Sequence, residues 1–101
     1  MKTQQLFDLT GKVALITGGS RGIGLQMAEA LGEHGASLAL SARKQHELDE
    51  AQAHFDKLGI PCFTVRNDLY DFPSIPGLAE AIISHYGKVD ILVSGVGTGG
   101  T

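Results

Sequence analysis

Cysteine is nearly absent from this sequence: Cys62 is the one thiol in 101 residues, so no disulfide can form within the chain, in keeping with a reducing compartment. No metal-ligand spacing is present either. His34, His46, His54 and His85 form neither an i, i+4 pair nor a cysteine-flanked zinc pattern, and all four read as surface residues. Charge of one sign is not in excess. The net charge is −3 with signs interspersed, leaving no basic stripe to attract phosphate backbones or anionic lipid. No stretch approaches the roughly 18 apolar residues of a spanning helix, and Met1-Lys2-Thr3-Gln4-Gln5 lacks the apolar run of a signal peptide. The expectation is a cytoplasmic protein with neither nucleic acid nor membrane as partner. At 43% hydrophobic and 19% charged, residues 1–101 belong with ordinary globular chains of one domain or less.

What is present is a regular alternation. Residues 13–17, 37–41, 62–66 and 90–94 are short, continuous apolar runs rich in β-branched side chains and bounded by turn residues, which predicts four strands. Continuous hydrophobicity implies a sheet covered on both faces. Between the strands, apolar residues recur at helical spacing: Ile23, Met27, Ala30 and Leu31 in the first interval, Leu48, Ala51, Phe55 and Leu58 in the second, Leu78, Ile82 and Tyr86 in the third. Gly35, Gly59 and Gly87 close these helices. At the start of the third, Ser74 reads as the N-cap because it places Pro76 in the first turn, where proline is tolerated. Four strands and three helices in strict alternation predict an α/β fold: a Rossmann-type, doubly wound parallel sheet with right-handed crossovers. Cys62 has no His, Lys or Arg as its immediate neighbour and reads as a buried structural thiol.

Directly after the first strand stands Thr17-Gly18-Gly19-Ser20-Arg21-Gly22-Ile23-Gly24, with an amphipathic helix expected from its end. Strand, glycine loop and helix in that order are the setting in which a loop can hold a dinucleotide. Gly18 permits the tight turn off the strand, Gly22 lets the backbone approach a pyrophosphate, and Gly24 lets the helix lie close. The anion would then meet the free N–H groups of the helix N-terminus. Ser20, Arg21 and Ile23 lie inside this loop and join the glycines as candidate cofactor contacts.

The loop resembles the short-chain dehydrogenase/reductase family, whose motif is Thr-Gly-x-x-x-Gly-x-Gly. The resemblance continues in residues 6–16, similar to the family's approach to its first strand, and in 87–93, similar to its fourth strand. It covers nearly the whole chain, with 3-oxoacyl-carrier-protein reductases and gluconate 5-dehydrogenases the most alike in look. It implies that Asp68 and Leu69 lie against an adenine ring, and that the protein moves a hydride between nicotinamide and a small carbonyl or alcohol substrate. A full-length enzyme of this kind is expected to be a homo-oligomer.

Cofactor choice can be read at the end of the second strand, Ser41-Ala42-Arg43-Lys44. An acidic residue about 20 positions beyond the glycines binds a ribose 2′-OH, whereas Arg accommodates a 2′-phosphate. No carboxylate stands at this turn. Arg43, with Arg21 converging from the loop, therefore predicts NADP(H).

Two features depart from the family. Where it carries Asn-Asn-Ala-Gly after the fourth strand, this chain has Ser94-Gly95-Val96-Gly97, of which only Gly97 matches and is retained as a cofactor contact. The family's proton donor is the tyrosine of a Tyr-x-x-x-Lys motif, yet four residues beyond Tyr70 and Tyr86 stand Ser74 and Asp90. No catalytic residue is assigned, and the 101-residue chain alone is expected to be inactive. A non-catalytic nucleotide-binding module and an unstable truncated gene product remain open as alternatives.

Overall fold

A computed structural model describes residues 8–94. Four parallel strands, β1 (Val13–Thr17), β2 (Ser37–Ala42), β3 (Cys62–Arg66) and β4 (Ile91–Ser94), form one sheet in the order β3-β2-β1-β4. Helices α1 (Gly22–Glu33), α2 (Gln45–Leu58) and α3 (Ile75–Tyr86) occupy the three intervals, with a single 3-10 turn, Phe72–Ser74, before α3. The chain thus adopts the Rossmann-like fold that the alternation predicts.

Side chains alternate across the sheet, as the pleat requires. Ala14, Ile16, Leu38 and Leu40 face a cluster with Ala28, Leu48, Ala51 and Phe55, while Leu15 and Ala39 face Leu78 and Ile82. The first two crossovers move outward from β1 with α1 and α2 on one face. The third returns across β1 to β4, so a right-handed connection puts α3 on the other face. Both faces of β1 are therefore covered, and all five of its residues are buried. Each fully buried Leu, Ile or Phe contributes about 1.5–3 kcal/mol.

The expected boundaries need small corrections. Strand β2 runs one residue further, to Ala42, and β4 begins at Ile91 instead of Asp90. Asp90 is occupied at both ends: its N–H donates to the Val13 carbonyl at 2.8 Å, and its carboxylate accepts the Val13 N–H at 2.9 Å. That bond, with Lys88 3.1 Å away, holds the Asp90 carboxyl below the usual carboxylate range.

The buried face of α1 is only partly the expected one: Leu31 packs against the core, but the expected residues before it do not. Ile23 is 75% exposed and Met27 41%, whereas Gly24 and Ala28 are buried. Gly24, Ala28 and Gly32 form an i, i+4, i+8 stripe of small residues against the rest of the fold. A Cβ at Gly32 would approach Ile60 Cγ2 to 2.7 Å, and one at Gly24 would collide with the Gly18 carbonyl oxygen. A rule that searches for large apolar residues misses a helix held close by their absence.

In α2, Leu48, Ala51 and Phe55 are buried as expected, but Leu58, the last residue of the helix on the same face, is 49% exposed. Ser74 does occupy the N-cap of α3, with Pro76 in the first turn, but its hydroxyl makes no capping bond. It donates to the Asp71 carbonyl at 2.7 Å and accepts from Asn67 Nδ2 at 2.8 Å. Three of the four histidines do more than sit at the surface, while His46 is exposed as expected. His54 pairs with Glu29 across α1 and α2, His85 stacks on Phe63 with centroids 4.0 Å apart, and His34 Nδ1 lies 2.8 Å from the Ala30 carbonyl. Burial, with the Asp56 charge nearby, pushes the half-buried Cys62 thiol up to about 12, in line with a structural role.

Candidate cofactor site

The order of the strands reverses beside β1, and in open α/β sheets the crevice at such a reversal, beyond the carboxyl ends of the strands, is where ligands bind. A cleft of about 370 Å³ lies there, walled by the glycine loop, the end of β2 and the segment after β3.

The loop wall follows from its glycines. Gly18 leaves β1 at φ +69°, its N–H bonded to the Ser41 carbonyl at 2.7 Å. Gly22 also lies in the left-handed region, at φ +62°, and beyond its own stretch of backbone nothing lies within 4 Å of where its Cβ would be. A backbone that is both bare and unobstructed can be approached closely by a ligand. Helix α1 begins at Gly22, two residues earlier than expected, and its first intrahelical bond runs from the Leu25 N–H to the Arg21 carbonyl at 3.3 Å. The N–H groups of Gly22, Ile23 and Gly24 precede that bond and remain for an anion. Gly24 itself does not line the cleft; it seats the helix against Gly18 and Gly19.

Of the residues expected in the site, Gly18, Ser20, Arg21, Gly22, Ile23, Arg43, Asp68 and Leu69 line this one cleft. Gly97 lies outside the described residues, as do Gly95 and Val96. Arg43 is exposed on the rim and makes no ion pair among the described residues. One carboxylate oxygen of Asp68 accepts the Tyr70 N–H at 2.9 Å, which fixes the turn after β3. Asn67 is buried beside it, and its Oδ1 is the one buried side-chain oxygen or nitrogen without a partner among the described residues. An orphan acceptor in a cleft wall can be satisfied by a donor on a ligand.

Sequence reasoning missed one acidic residue. The turn at the end of β2 holds no carboxylate, as expected, yet Glu47 reaches the cleft from the first turn of α2. Its Oε1 accepts the Ser20 hydroxyl at 3.2 Å, and its Oε2 lies 3.3 Å from the Arg21 guanidinium. The position, four residues beyond Arg43 at the start of a helix, was the available signal.

Neither tyrosine is set up as a proton donor. Tyr70 is exposed at the mouth of the cleft, and Tyr86 donates its hydroxyl to the Leu38 carbonyl at 2.8 Å. Burial, followed by the nearby Cys62, pushes the Tyr86 hydroxyl up to about 12. No group of three or more metal-ligating side chains occurs among the described residues, and none of the described helices is long and apolar enough to cross a membrane.

With this cleft in place, comparison with known proteins decides the family. The sequence profile described as short chain dehydrogenase matches residues 12–101. This chain belongs to the short-chain dehydrogenase family. Gluconate 5-dehydrogenase of Gluconobacter oxydans is 38% identical over 97 residues, covering 96% of this chain and 38% of that protein. The peroxisomal 2,4-dienoyl-CoA reductase of Arabidopsis thaliana is 40% identical over 84 residues, 83% of this chain and 28% of that protein. Among solved structures, L-sorbose reductase from Gluconobacter frateurii, complexed with NADPH and L-sorbose, superposes with a TM-score of 0.85 at 38% identity, covering 92% of this chain and 36% of that one. The chain therefore spans well under half the length of these short-chain dehydrogenase relatives.

Proposed function

We propose that this chain forms the NADP(H)-binding part of an oxidoreductase that moves a hydride between nicotinamide and a small carbonyl or alcohol substrate. The observation that carries the reading is the cleft itself, where the bare Gly22 backbone at the N-terminus of α1 faces the same space as Arg21 and Arg43. Its residues fit a dinucleotide in kind: N–H groups at a helix start for a pyrophosphate, guanidinium groups for a 2′-phosphate, and a half-buried Leu69 beside Asp68 for an adenine ring. Support also comes from the relatives, which are named as reductases and dehydrogenases, and from the sorbose reductase with its NADPH. When bound, the cofactor would supply the hydride chemistry through its nicotinamide, while these residues would hold its adenosine and pyrophosphate.

In this reading Gly18 and Gly22 shape the loop, Gly24 seats the helix, Ile23 offers its N–H to the pyrophosphate, and Ser20, Arg21 and Arg43 surround the adenosine end. Asp68, Leu69 and Gly97 complete the contacts. The whole enzyme is read as a cytoplasmic homo-oligomer, and the mixed-sign charge of −3 does not favour nucleic acid. A binding titration tests the cofactor assignment. NADPH should bind about tenfold or more tightly than NADH, since charge-assisted hydrogen bonds contribute about 1.5–3 kcal/mol each, and Arg43→Ala should erase most of the difference. Equal affinities in the unmutated protein would refute it.

A further inference from the structure

The carboxylate of Glu47 takes up the groups that a 2′-phosphate would need. Its two oxygens engage the Ser20 hydroxyl at 3.2 Å and the Arg21 guanidinium at 3.3 Å, and all three side chains line the cleft that also holds Arg43. The pair is asymmetric. The Glu47 side chain is 17% exposed and fixed at the third position of α2, whereas Arg21 is 74% exposed on a flexible stem. Any rearrangement on ligand binding therefore falls to Arg21. Glu47 stays behind as a negative charge in the wall of the cleft.

We infer that Glu47 is a specificity-determining residue that narrows the preference of this cleft for the 2′-phosphorylated cofactor. The inference rests on the NADP(H) reading above. A 2′-phosphate brought to Arg21 and Arg43 must compete with Glu47 for Arg21 and Ser20, and then sits near a like charge. A 2′-hydroxyl faces neither cost. It can donate to the carboxylate as the Ser20 hydroxyl does, so Glu47, supplied by α2, does part of what an acidic residue at the end of β2 does in NAD-binding chains. The two effects act in the same direction. They favour NADH relative to NADPH without reversing a preference set by two guanidinium groups.

The test is calorimetric titration of the protein and its Glu47→Gln variant with NADPH, NADH and adenosine 2′,5′-bisphosphate. Gln keeps the side-chain shape and an acceptor for Ser20 while removing the charge. The NADPH-to-NADH affinity ratio should widen by about threefold to tenfold in the variant, the scale of a partly exposed ion pair together with one removed repulsion. The bisphosphate should tighten with NADPH, and the gain should shrink as salt is added. Glu47→Asp, which draws the charge back by one methylene, should shift the ratio the same way by less, and it keeps the question answerable if the Gln variant folds poorly. Glu50→Gln, exposed on the same helix and outside the cleft, controls for the loss of a helix charge and should leave the ratio unchanged. An unchanged or narrowed ratio in the Glu47 variants, or an equal change in Glu50→Gln, would overturn the inference alone. A wild-type protein that binds neither dinucleotide would overturn the cofactor reading and this inference together.

Discussion

Gly24 and Gly77 occupy the same position, third from the start, of α1 and α3, and the same change to alanine should act on them with opposite sign. At Gly77 nothing beyond the helix's own adjacent backbone lies within 4 Å of an added Cβ, and φ is not positive. Alanine there limits the unfolded chain and favours the helix, which should stabilise by about 0.5–1 kcal/mol. At Gly24 the same intrinsic gain is available, but the Cβ would overlap the Gly18 carbonyl oxygen and lie 3.0 Å from the Gly18 carbonyl carbon and 3.1 Å from Gly19 Cα. All three atoms are backbone, so relief requires moving the helix or the loop and no rotamer change suffices. Overpacking of this kind costs about 1–3 kcal/mol, and with backbone struck at three points the cost lies in the upper part, about 2–3 kcal/mol, which leaves Gly24→Ala destabilised by about 1–2.5 kcal/mol after the helix gain. Urea unfolding at constant m-value measures both changes. NADPH titration supplies a second reading: Gly24→Ala should weaken binding because the displaced atoms belong to the loop, and Gly77→Ala should not. Equal stability changes in the two variants would refute the reasoning.

At Gly22, φ of +62° and a bare face toward the cleft mean that Gly22→Val should abolish NADPH binding while circular dichroism shows most helix content retained; undiminished titration would reduce the loop to a turn. Cys62, pushed from 9.0 to about 12, should hold about a thousandfold less thiolate than an ordinary thiol at pH 8, so native alkylation should be far slower than alkylation in denaturant, and equal rates would contradict its burial. The depressed carboxyl of Asp90 contributes stability that is present above the unfolded carboxylate range and lost as pH falls through its lower folded value. Asp90→Asn should therefore flatten the acid limb of a stability-against-pH curve, and an unchanged limb would show that the Val13 bond does not matter.

Much of the fold was legible because continuous apolar runs have one economical arrangement, a sheet covered on both faces. The runs at 13–17 and 62–66 matched β1 and β3 residue for residue, whereas Asp90 fell outside β4 because its side chain, as well as its backbone, bonds to β1. The face of α1 was misread for a different reason: close approach is signalled by small residues, and a search for large ones pointed to Ile23 and Met27, which are exposed. At the site, the loop glycines and Arg43 were legible because they adjoin β1 and β2 in sequence. Glu47 was not, since its contact with Ser20 spans 27 positions and depends on how α2 docks. Asn67 was not singled out by the sequence. Its orphan oxygen is a property of the fold and has no sequence signature.

The stripe of Gly24, Ala28 and Gly32 also governs how this helix can change. Residues 24 and 32 bear on atoms that a single added carbon would strike, and Ala28 is wholly buried between them. Ile23, Met27 and Ala30 face outward. A saturation library across α1 should therefore split into two populations a third of a turn apart, one intolerant of any added carbon and the other accepting most polar and apolar side chains. The helix that supports the glycine loop is thus free to vary its outer surface for other uses while its distance from the sheet stays locked.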